Sequence, residues 1–258
     1  MSKNSSVSNY DNSLYISGHK IFGVNSVNFG YSLPVDHINV IGYSKFKTFT
    51  SNPPQSTLSV QKYLSPSDFF LNFTGLTPVS GNVNYNGKNF GFESAYLSSY
   101  SVACSVGNFP NLSASFSIFG QVGSGVGSTG ASETGKLSVI RPNDITIECD
   151  GSGTNRIESF TYSVECKREP YYHPTGSLPT EVSTIKPFKV NAEFTIAVDD
   201  YQSKRVLDYI VDSNKRRIKI NVGSLASFTM ENMELISESL NSSATDDLVI
   251  TLSYQGFI

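Results

Sequence analysis

The chain has 258 residues, which is room for two domains of ordinary size. Tyrosine and phenylalanine are plentiful, tryptophan is absent and methionine is rare, and this composition favours β-structure over a helical bundle. The formal net charge of −3 excludes a strong overall attraction to nucleic acid or to anionic lipid.

The cysteines and the start of the chain predict the compartment. Cys104, Cys149 and Cys166 are an odd number without the spacing of metal ligands, and they suit a reducing environment. Residues 1–12 are polar, so we expect a flexible N-terminus without the apolar core of a signal peptide. No stretch is long and apolar enough to span a bilayer. We therefore expect a soluble protein that folds in a cytoplasm.

A first β-domain is predicted over residues 13–120, because apolar and polar residues alternate there as in half-buried antiparallel strands. The dipeptide Asn86-Gly87 predicts a two-residue hairpin turn, since both residues tolerate a positive φ. Residues 65–71 predict a short helical turn, with Pro66 near its start. The predicted strands are 26–33, 57–64, 81–85, 90–107 (with an internal turn) and 112–119.

A linker is predicted over residues 121–135. With Gly120, this stretch carries six glycines and few apolar side chains, so burial cannot repay the entropy of ordering it. Residues 130–136 have the glycine and lysine spacing of a phosphate-binding loop. However, Leu137 stands where that loop needs a serine or threonine, and residues 137–140 are typical of a strand. We interpret the segment as a linker.

A second β-domain is predicted over residues 136–258, with strands at 217–222, 227–240 and 248–254. Its one convincing helix covers residues 199–211, where Val206, Leu207, Ile210 and Val211 fall on one face after an aspartate pair in the N-cap position. This helix occupies the place that the 65–71 turn holds in the first half.

The two halves repeat one order of patterns. The string FGYSL at 29–33 is matched by FTYSV at 160–164, so we expect Phe29 to correspond to Phe160 and Tyr31 to Tyr162. Polar, proline-bearing segments follow at 34–55 and 165–187, and each predicts an extended hairpin that becomes ordered on assembly. An alternating strand comes next in both halves, at 57–64 and 188–196. A repeated β-unit places the same interface at two positions.

The residues that usually carry chemistry are scattered. His19, His37 and His173 lie far from one another and from other metal ligands, and the aspartate pair before the predicted helix is explained by capping. Tyr96, Tyr100, Met233 and Ile236 are predicted to be core or half-buried positions. We expect no enzymatic activity, no cofactor and no metal site.

The order of elements resembles the tail-tube fold of tailed bacteriophages and related contractile machines: a strand with Phe-x-Tyr-Ser, a long polar hairpin, a second long strand, a short helix and closing strands. Residues 92–110 and 190–199 are similar to segments of phage tail structural proteins. The resemblance covers residues 13–120 and 136–258. It implies two tandem tail-tube-like β-sandwich or half-barrel units, each with a short helix and a long hairpin loop.

The same resemblance implies a function. The chain would be a virion tail tube subunit whose trimers form pseudo-hexameric rings, which stack into a conduit that passes DNA without binding it specifically. Its partners would be copies of itself and other tail proteins, without membrane insertion. Two alternatives stay open: a ring-forming neck, hub or distal-tail (baseplate) adaptor, and a carbohydrate-binding adhesin-type β-protein. The interface residues predicted in the two hairpins are His37, Tyr43, Phe46, Tyr171, Tyr172, His173 and Pro179.

Overall fold

The computed structural model describes residues 13–33, 36–38, 47–49, 54–65, 68–75, 77–85, 87–127, 145–149, 151–173, 176–197, 215–223, 226–242 and 248–258. Almost all of them belong to strands. The first half contains β1 (Ser13–Ile16), β2 (His19–Lys20), β3 (Val24–Ser32), β4 (Asp36–Ile38), β5 (Lys47–Phe49), β6 (Gln55–Tyr63), β7 (Val79–Tyr85), β8 (Lys88–Ser105), β9 (Asn111–Ile118) and β10 (Val122–Gly123).

One short helix is described, a 3₁₀ turn at Phe69–Thr74, which Asp68 caps by accepting a hydrogen bond from the Phe70 amide at 3.2 Å. The second half contains β11 (Ile145–Cys149), β12 (Ser152–Thr154), β13 (Ile157–Glu165), β14 (Arg168–Tyr171), β15 (Glu181–Thr184), β16 (Lys189–Ala197), β17 (Arg216–Val222), β18 (Ala226–Asn241) and β19 (Val249–Phe257). The expectation of a mainly β protein with little helix is confirmed.

Fifteen strands form one antiparallel sheet, and the two halves use the same order of strand pairing. In the first half β3 pairs with β6, β6 with β9, β9 with β8, β8 with β7, and β7 with β1. In the second half β13 pairs with β16, β16 with β19, β19 with β18, β18 with β17, and β17 with β11. Among the described strands, a single pairing, β8 with β13, joins the two series.

The irregularities of the sheet repeat as well. The register of β8 against β9 shifts between Leu97 and Ser99, and that of β18 against β19 shifts between Leu235 and Ser237. A positive φ, rare outside glycine, occurs at Ser94 in β8 (φ 52°) and at Asn232 in β18 (φ 57°). Each positive-φ residue lies three positions before the leucine at its strand's register shift. These shared landmarks align β8 with β18 residue by residue.

The same alignment corrects the predicted equivalence of the two halves. Phe29 pairs with Leu58, and Tyr162 pairs with Ala192, and these partners are the fourth residues of β6 and β16. Phe29 therefore corresponds to Tyr162 and not to Phe160, a displacement of two residues. Side chains alternate with a period of two, so such a displacement keeps every side chain on the same face and leaves the apolar pattern unchanged.

Both predicted hairpin segments contain hairpins. β4 pairs with β5, and β14 pairs with β15, as two separate two-stranded sheets. The hairpin predicted around Gly87 is also confirmed: Tyr85 and Lys88 face each other, and Gly87 has a φ of 72°. The helical turn predicted at 65–71 lies slightly later, at Phe69–Thr74.

Three expectations differ from the structure or fall outside it. β8 runs without a turn from Lys88 to Ser105, because bulges absorb its irregularity. The segment expected to be a linker is structured up to residue 127: β10 pairs with β8, and a side chain at Gly91 would collide with the carbonyl oxygen of Val126. Residues 128–144 and 198–214, which include the glycine–lysine motif and the predicted helix, lie outside the described residues.

The core is one continuous cluster that includes side chains from both halves. Strict alternation produces it, as in β9, where Leu112, Ala114, Phe116 and Ile118 are buried and the residues between them are more exposed. Full burial of a large apolar side chain contributes roughly 1.5–3 kcal/mol, so the sheet is held by these inward faces.

Candidate assembly interface

The structure brings four of the predicted interface residues together at the tip of the β14–β15 hairpin. Tyr171 is 62% exposed, and its ring lies 5.6 Å from that of His173, edge to face. Tyr172 and Pro179 of the same hairpin are half-buried. The amide of Thr180 donates to the Tyr171 carbonyl at 2.9 Å and holds the tip together. Tyr171 and His173 thus form an exposed aromatic pair, as an interface anchor requires.

The first hairpin is described only in part. His37 lies in β4, opposite Thr48 of β5. Tyr43 and Phe46 fall outside the described residues. The interface role assigned to both hairpins stays a prediction.

Arg168, at the base of the β14–β15 hairpin, forms hydrogen bonds with the first half of the chain. Its Nε donates to the Leu97 carbonyl at 3.1 Å, and its Nη2 donates to the Thr74 carbonyl at 3.1 Å. Its Nη1 donates to Thr184 Oγ1 within the hairpin. The guanidinium also stacks 5.7 Å from the centre of the Tyr96 ring. Burial lowers the pKa of Arg168, but these oxygen acceptors and the ring accommodate its charge.

The pairing of β8 with β13, here called the internal junction, joins the two halves. Residues 159–165 lie opposite residues 99–105. Backbone hydrogen bonds extend it at both ends: the Cys166 amide donates to the Ser98 carbonyl at 2.8 Å, and the Val106 amide donates to the Glu158 carbonyl at 2.8 Å. No sheet edge is left open along this contact.

One face of the internal junction is fully buried and largely aromatic. Tyr162 pairs with Val102, and the two are 7% and 0% exposed. The Tyr162 ring lies 4.7 Å from that of Phe228 and 6.3 Å from that of Tyr100. The halves are therefore held together by a closely packed core as well as by the strand ladder.

A polar cluster lies beneath the junction. The hydroxyl of Tyr100 donates to Asp68 Oδ2 at 3.1 Å, and Lys62 Nζ lies 3.7 Å from Asp68 Oδ1. Lys62 also donates to Ser65 Oγ at 3.0 Å. Burial lowers the pKa of Lys62, whereas the neighbouring carboxylate acts in the opposite direction. Burial also raises the pKa of Tyr100, so its phenol stays protonated and continues to donate.

The repeat assigns a counterpart to each strand of the internal junction: β3 corresponds to β13, and β18 corresponds to β8. Among the strands that the structure describes, β3 pairs only with β6, and residues 234–241 of β18 pair only with β19. Apolar side chains are exposed at both places: Tyr31 (57%) on β3, and Ile236 (58%) and Leu240 (61%) on β18. Exposed apolar residues on a strand edge are an unusual and informative feature.

An open groove of about 760 Å³, here called the β3 groove, runs along β3. Phe29 forms part of its wall and contacts Phe90, with the ring centres 4.7 Å apart. Phe90 corresponds to Phe228 and Phe29 to Tyr162, so this is the same aromatic pair as in the internal junction. There Tyr100 of β8 packs beside the pair. In the first half no described strand takes the place of β8, and the groove is open.

The buried phenol of Tyr162 predicts a pH dependence. Burial raises its pKa to about 12, from 10.0. Between these values the folded chain binds more protons than the unfolded chain, so the stability conferred below pH 10 is lost as the pH rises towards 12. Replacing Tyr162 with phenylalanine should remove up to about 3 kcal/mol of that alkaline loss, at roughly 1.4 kcal/mol per pKa unit.

Urea unfolding of the monomeric wild-type chain and of the Tyr162→Phe variant at pH 9 and pH 11.5 measures this difference. Equal pH slopes for the two chains would contradict it. Tyr100 is present in both chains, so its own titration cancels.

The sequence did not predict the open strand edges of β3 and β18. The sequence predicts core or half-buried positions for Tyr96, Tyr100 and Met233, and all three side chains are buried. The sequence predicts the same for Ile236, but the register shift beside it turns this side chain outward. An isoleucine beside Leu235 gives no local sign of such a bulge. Only the pairing of β18 with β19 reveals it.

In the part of the chain that the structure covers, no three His, Cys, Asp or Glu side chains are grouped as a metal ion would require. No helix within those same residues is long and apolar enough to cross a membrane. No protein-family model and no curated protein matches the sequence.

Proposed function

We propose that this chain is a virion structural protein, a tail tube subunit built from two tandem tail-tube-like units, whose copies assemble into rings that form a conduit for DNA. The internal junction carries the proposal: one strand pairing is used inside the chain, while the strands that correspond to it, β3 and β18, have no such pairing among the described strands. The resemblance of the element order to tail tubes supports the same assignment.

A chain of this kind has two different edges to match, so copies associate head to tail. Such contacts close into a ring when the rotation between neighbours permits, and otherwise extend into a fibre. Three chains would contribute six repeats, and the sixfold arrangement implied by the tail-tube resemblance would then need only a trimer. The hairpins β4–β5 and β14–β15, which form separate small sheets, are available to contact neighbouring copies or other tail proteins.

The charge of the chain agrees with a passage for DNA. A lumen that retained phosphates would slow the transit of DNA, because each contact adds to its affinity. The net charge of −3 opposes such retention. DNA is therefore cargo in transit and not a bound ligand.

The proposal predicts concentration-dependent assembly. Light scattering coupled to size-exclusion chromatography should show the monomer converting to a species of three chains, and electron microscopy should show rings, with stacks at high concentration. Rings that never stack would instead indicate an adaptor at a tail end. A chain that stays monomeric at all concentrations, or forms only amorphous aggregates, would refute the proposal.

A further inference from the structure

We propose that β3 of one copy pairs antiparallel with residues 237–242 of the next copy, in the register of the internal junction. This inference rests on the proposed function, since it names the contact through which the copies would assemble. The open edge is thus occupied by a second copy of this chain, because the contact would continue a strand pairing that the chain already contains.

The register follows from the repeat. Ser98 in β8 and Ile236 in β18 lie at the same register shift, and their numbers differ by 138. Each residue after Ser98 in β8 therefore corresponds to the residue numbered 138 higher in β18. In the other strand, Tyr162 corresponds to Phe29, a difference of 133 residues. The observed pairing of Tyr162 with Val102 therefore predicts that Phe29 pairs with Leu240 of the next copy.

The same two offsets predict a second pair of facing residues and a hydrogen bond at one end of the strand pairing. Thr161 pairs with Ala103, which predicts Asn28 opposite Asn241 of the next copy. At the end of the internal junction the Cys166 amide donates to the Ser98 carbonyl. Its counterpart would be the Leu33 amide of one copy donating to the Ile236 carbonyl of the next.

The side chains on these edges fit the predicted contact. Val102, which covers Tyr162 in the internal junction, is replaced by Leu240, a side chain of the same apolar kind that is 61% exposed. Phe29 is only half-buried, and it borders the open β3 groove. Placing Leu240 over Phe29 would remove both apolar surfaces from water and close the groove along β3.

The two edges differ, and the contact is therefore directional. β3 presents Phe29 beside a groove, whereas β18 presents Leu240 and Ile236 as projecting side chains. A symmetric pairing of β3 with β3 would leave the groove without a projecting side chain to fill it. The geometry points to head-to-tail association.

A disulfide tests the register directly. Residues facing each other in an antiparallel pair have Cα atoms about 4.5–5.5 Å apart, within the range of a disulfide. The double variant Asn28→Cys/Asn241→Cys should form a ladder of covalent oligomers under mild oxidation. Mixing the two single variants should give only a covalent dimer that contains one chain of each.

Two control variants show whether disulfide formation depends on the predicted register or only on the presence of two cysteines. Thr161→Cys/Ala103→Cys is the internal counterpart and should form a disulfide within one chain. Asn28→Cys/Ser237→Cys is out of register by four residues, or about 13 Å, and should give no ladder. The single variants also show whether the native cysteines, of which Cys104 and Cys166 are buried, contribute cross-links.

The outcomes are distinct. If wild-type chains assemble and the internal control closes but the Asn28–Asn241 pair gives no ladder, the register is wrong and the proposed function stands. Covalent dimers of Asn28→Cys alone that persist when the partly exposed Cys149 is replaced with serine would overturn the head-to-tail arrangement. If wild-type chains do not assemble at all, both proposals fail. Should the internal control stay reduced, Gly30→Cys/Ser239→Cys and its counterpart Ser163→Cys/Ser101→Cys decide by the same criteria.

Discussion

Replacing Tyr100 with alanine is expected to destabilise the monomer by about 4–5 kcal/mol. Its side chain is fully buried, lies against the rings of Tyr162 and Phe228, and donates to Asp68. Truncating a buried aromatic residue costs about 3–5 kcal/mol through lost transfer energy and the remaining cavity. The loss of a hydrogen bond to a buried carboxylate adds to this. Urea unfolding followed by far-ultraviolet circular dichroism measures the change.

The matched control is Tyr100→Phe, which keeps the ring and removes only the hydroxyl. It should cost about 2 kcal/mol, the usual contribution of a hydrogen bond to a charged group. The difference between the two variants isolates the packing of the ring at the internal junction. If alanine and phenylalanine destabilised the chain equally, the junction would not depend on this aromatic packing.

Replacing Leu240 with lysine is expected to weaken assembly at least about 100-fold without unfolding the monomer. Leu240 is exposed in the single chain, so the fold loses little. In the proposed contact it covers Phe29, and burying such a side chain contributes roughly 1.5–3 kcal/mol. An ammonium group placed there would have to lose its hydration as well. A loss of about 3 kcal/mol corresponds to about 100-fold in the dissociation constant.

Sedimentation velocity over a range of concentrations gives that constant, and thermal unfolding checks the monomer. The matched control is Phe257→Lys, which changes an equally exposed apolar side chain on β19, away from both open edges. It should leave the dissociation constant within about threefold of the wild type, as surface changes away from a contact usually do. Equal effects of the two variants would indicate non-specific hydrophobic association.

Local features of the sequence predicted much of the fold. The Asn86-Gly87 turn was predictable because two adjacent residues decide its conformation. Strand positions such as β6, β9 and β17 followed from alternation, which every half-buried strand shows over a few residues. The two hairpin segments were predictable because each is polar, long and placed between two apolar strands. The repeated order of patterns was visible for the same reason.

The sequence could not determine the register. Moving a strand by two residues keeps its apolar face inward, so the sequence pattern is the same for Phe29 aligned with Phe160 as for Phe29 aligned with Tyr162. Bulges at Ser98 and Ile236 leave no sign in composition, although they decide which side chains face outward. These features depend on which strand lies alongside, and that is a property of the whole sheet.

The sequence alone therefore established a repeated, mainly β chain with two hairpins, since those properties depend on neighbouring residues. The tertiary structure decided that β8 pairs with β13, that Arg168 of the second half binds carbonyl groups of the first, and that β3 and β18 lack the corresponding pairing among the described strands. These contacts join residues 54 to 94 positions apart, and they form only when the sheet is complete, because hydrogen-bonding edges and apolar faces of distant segments must match at once.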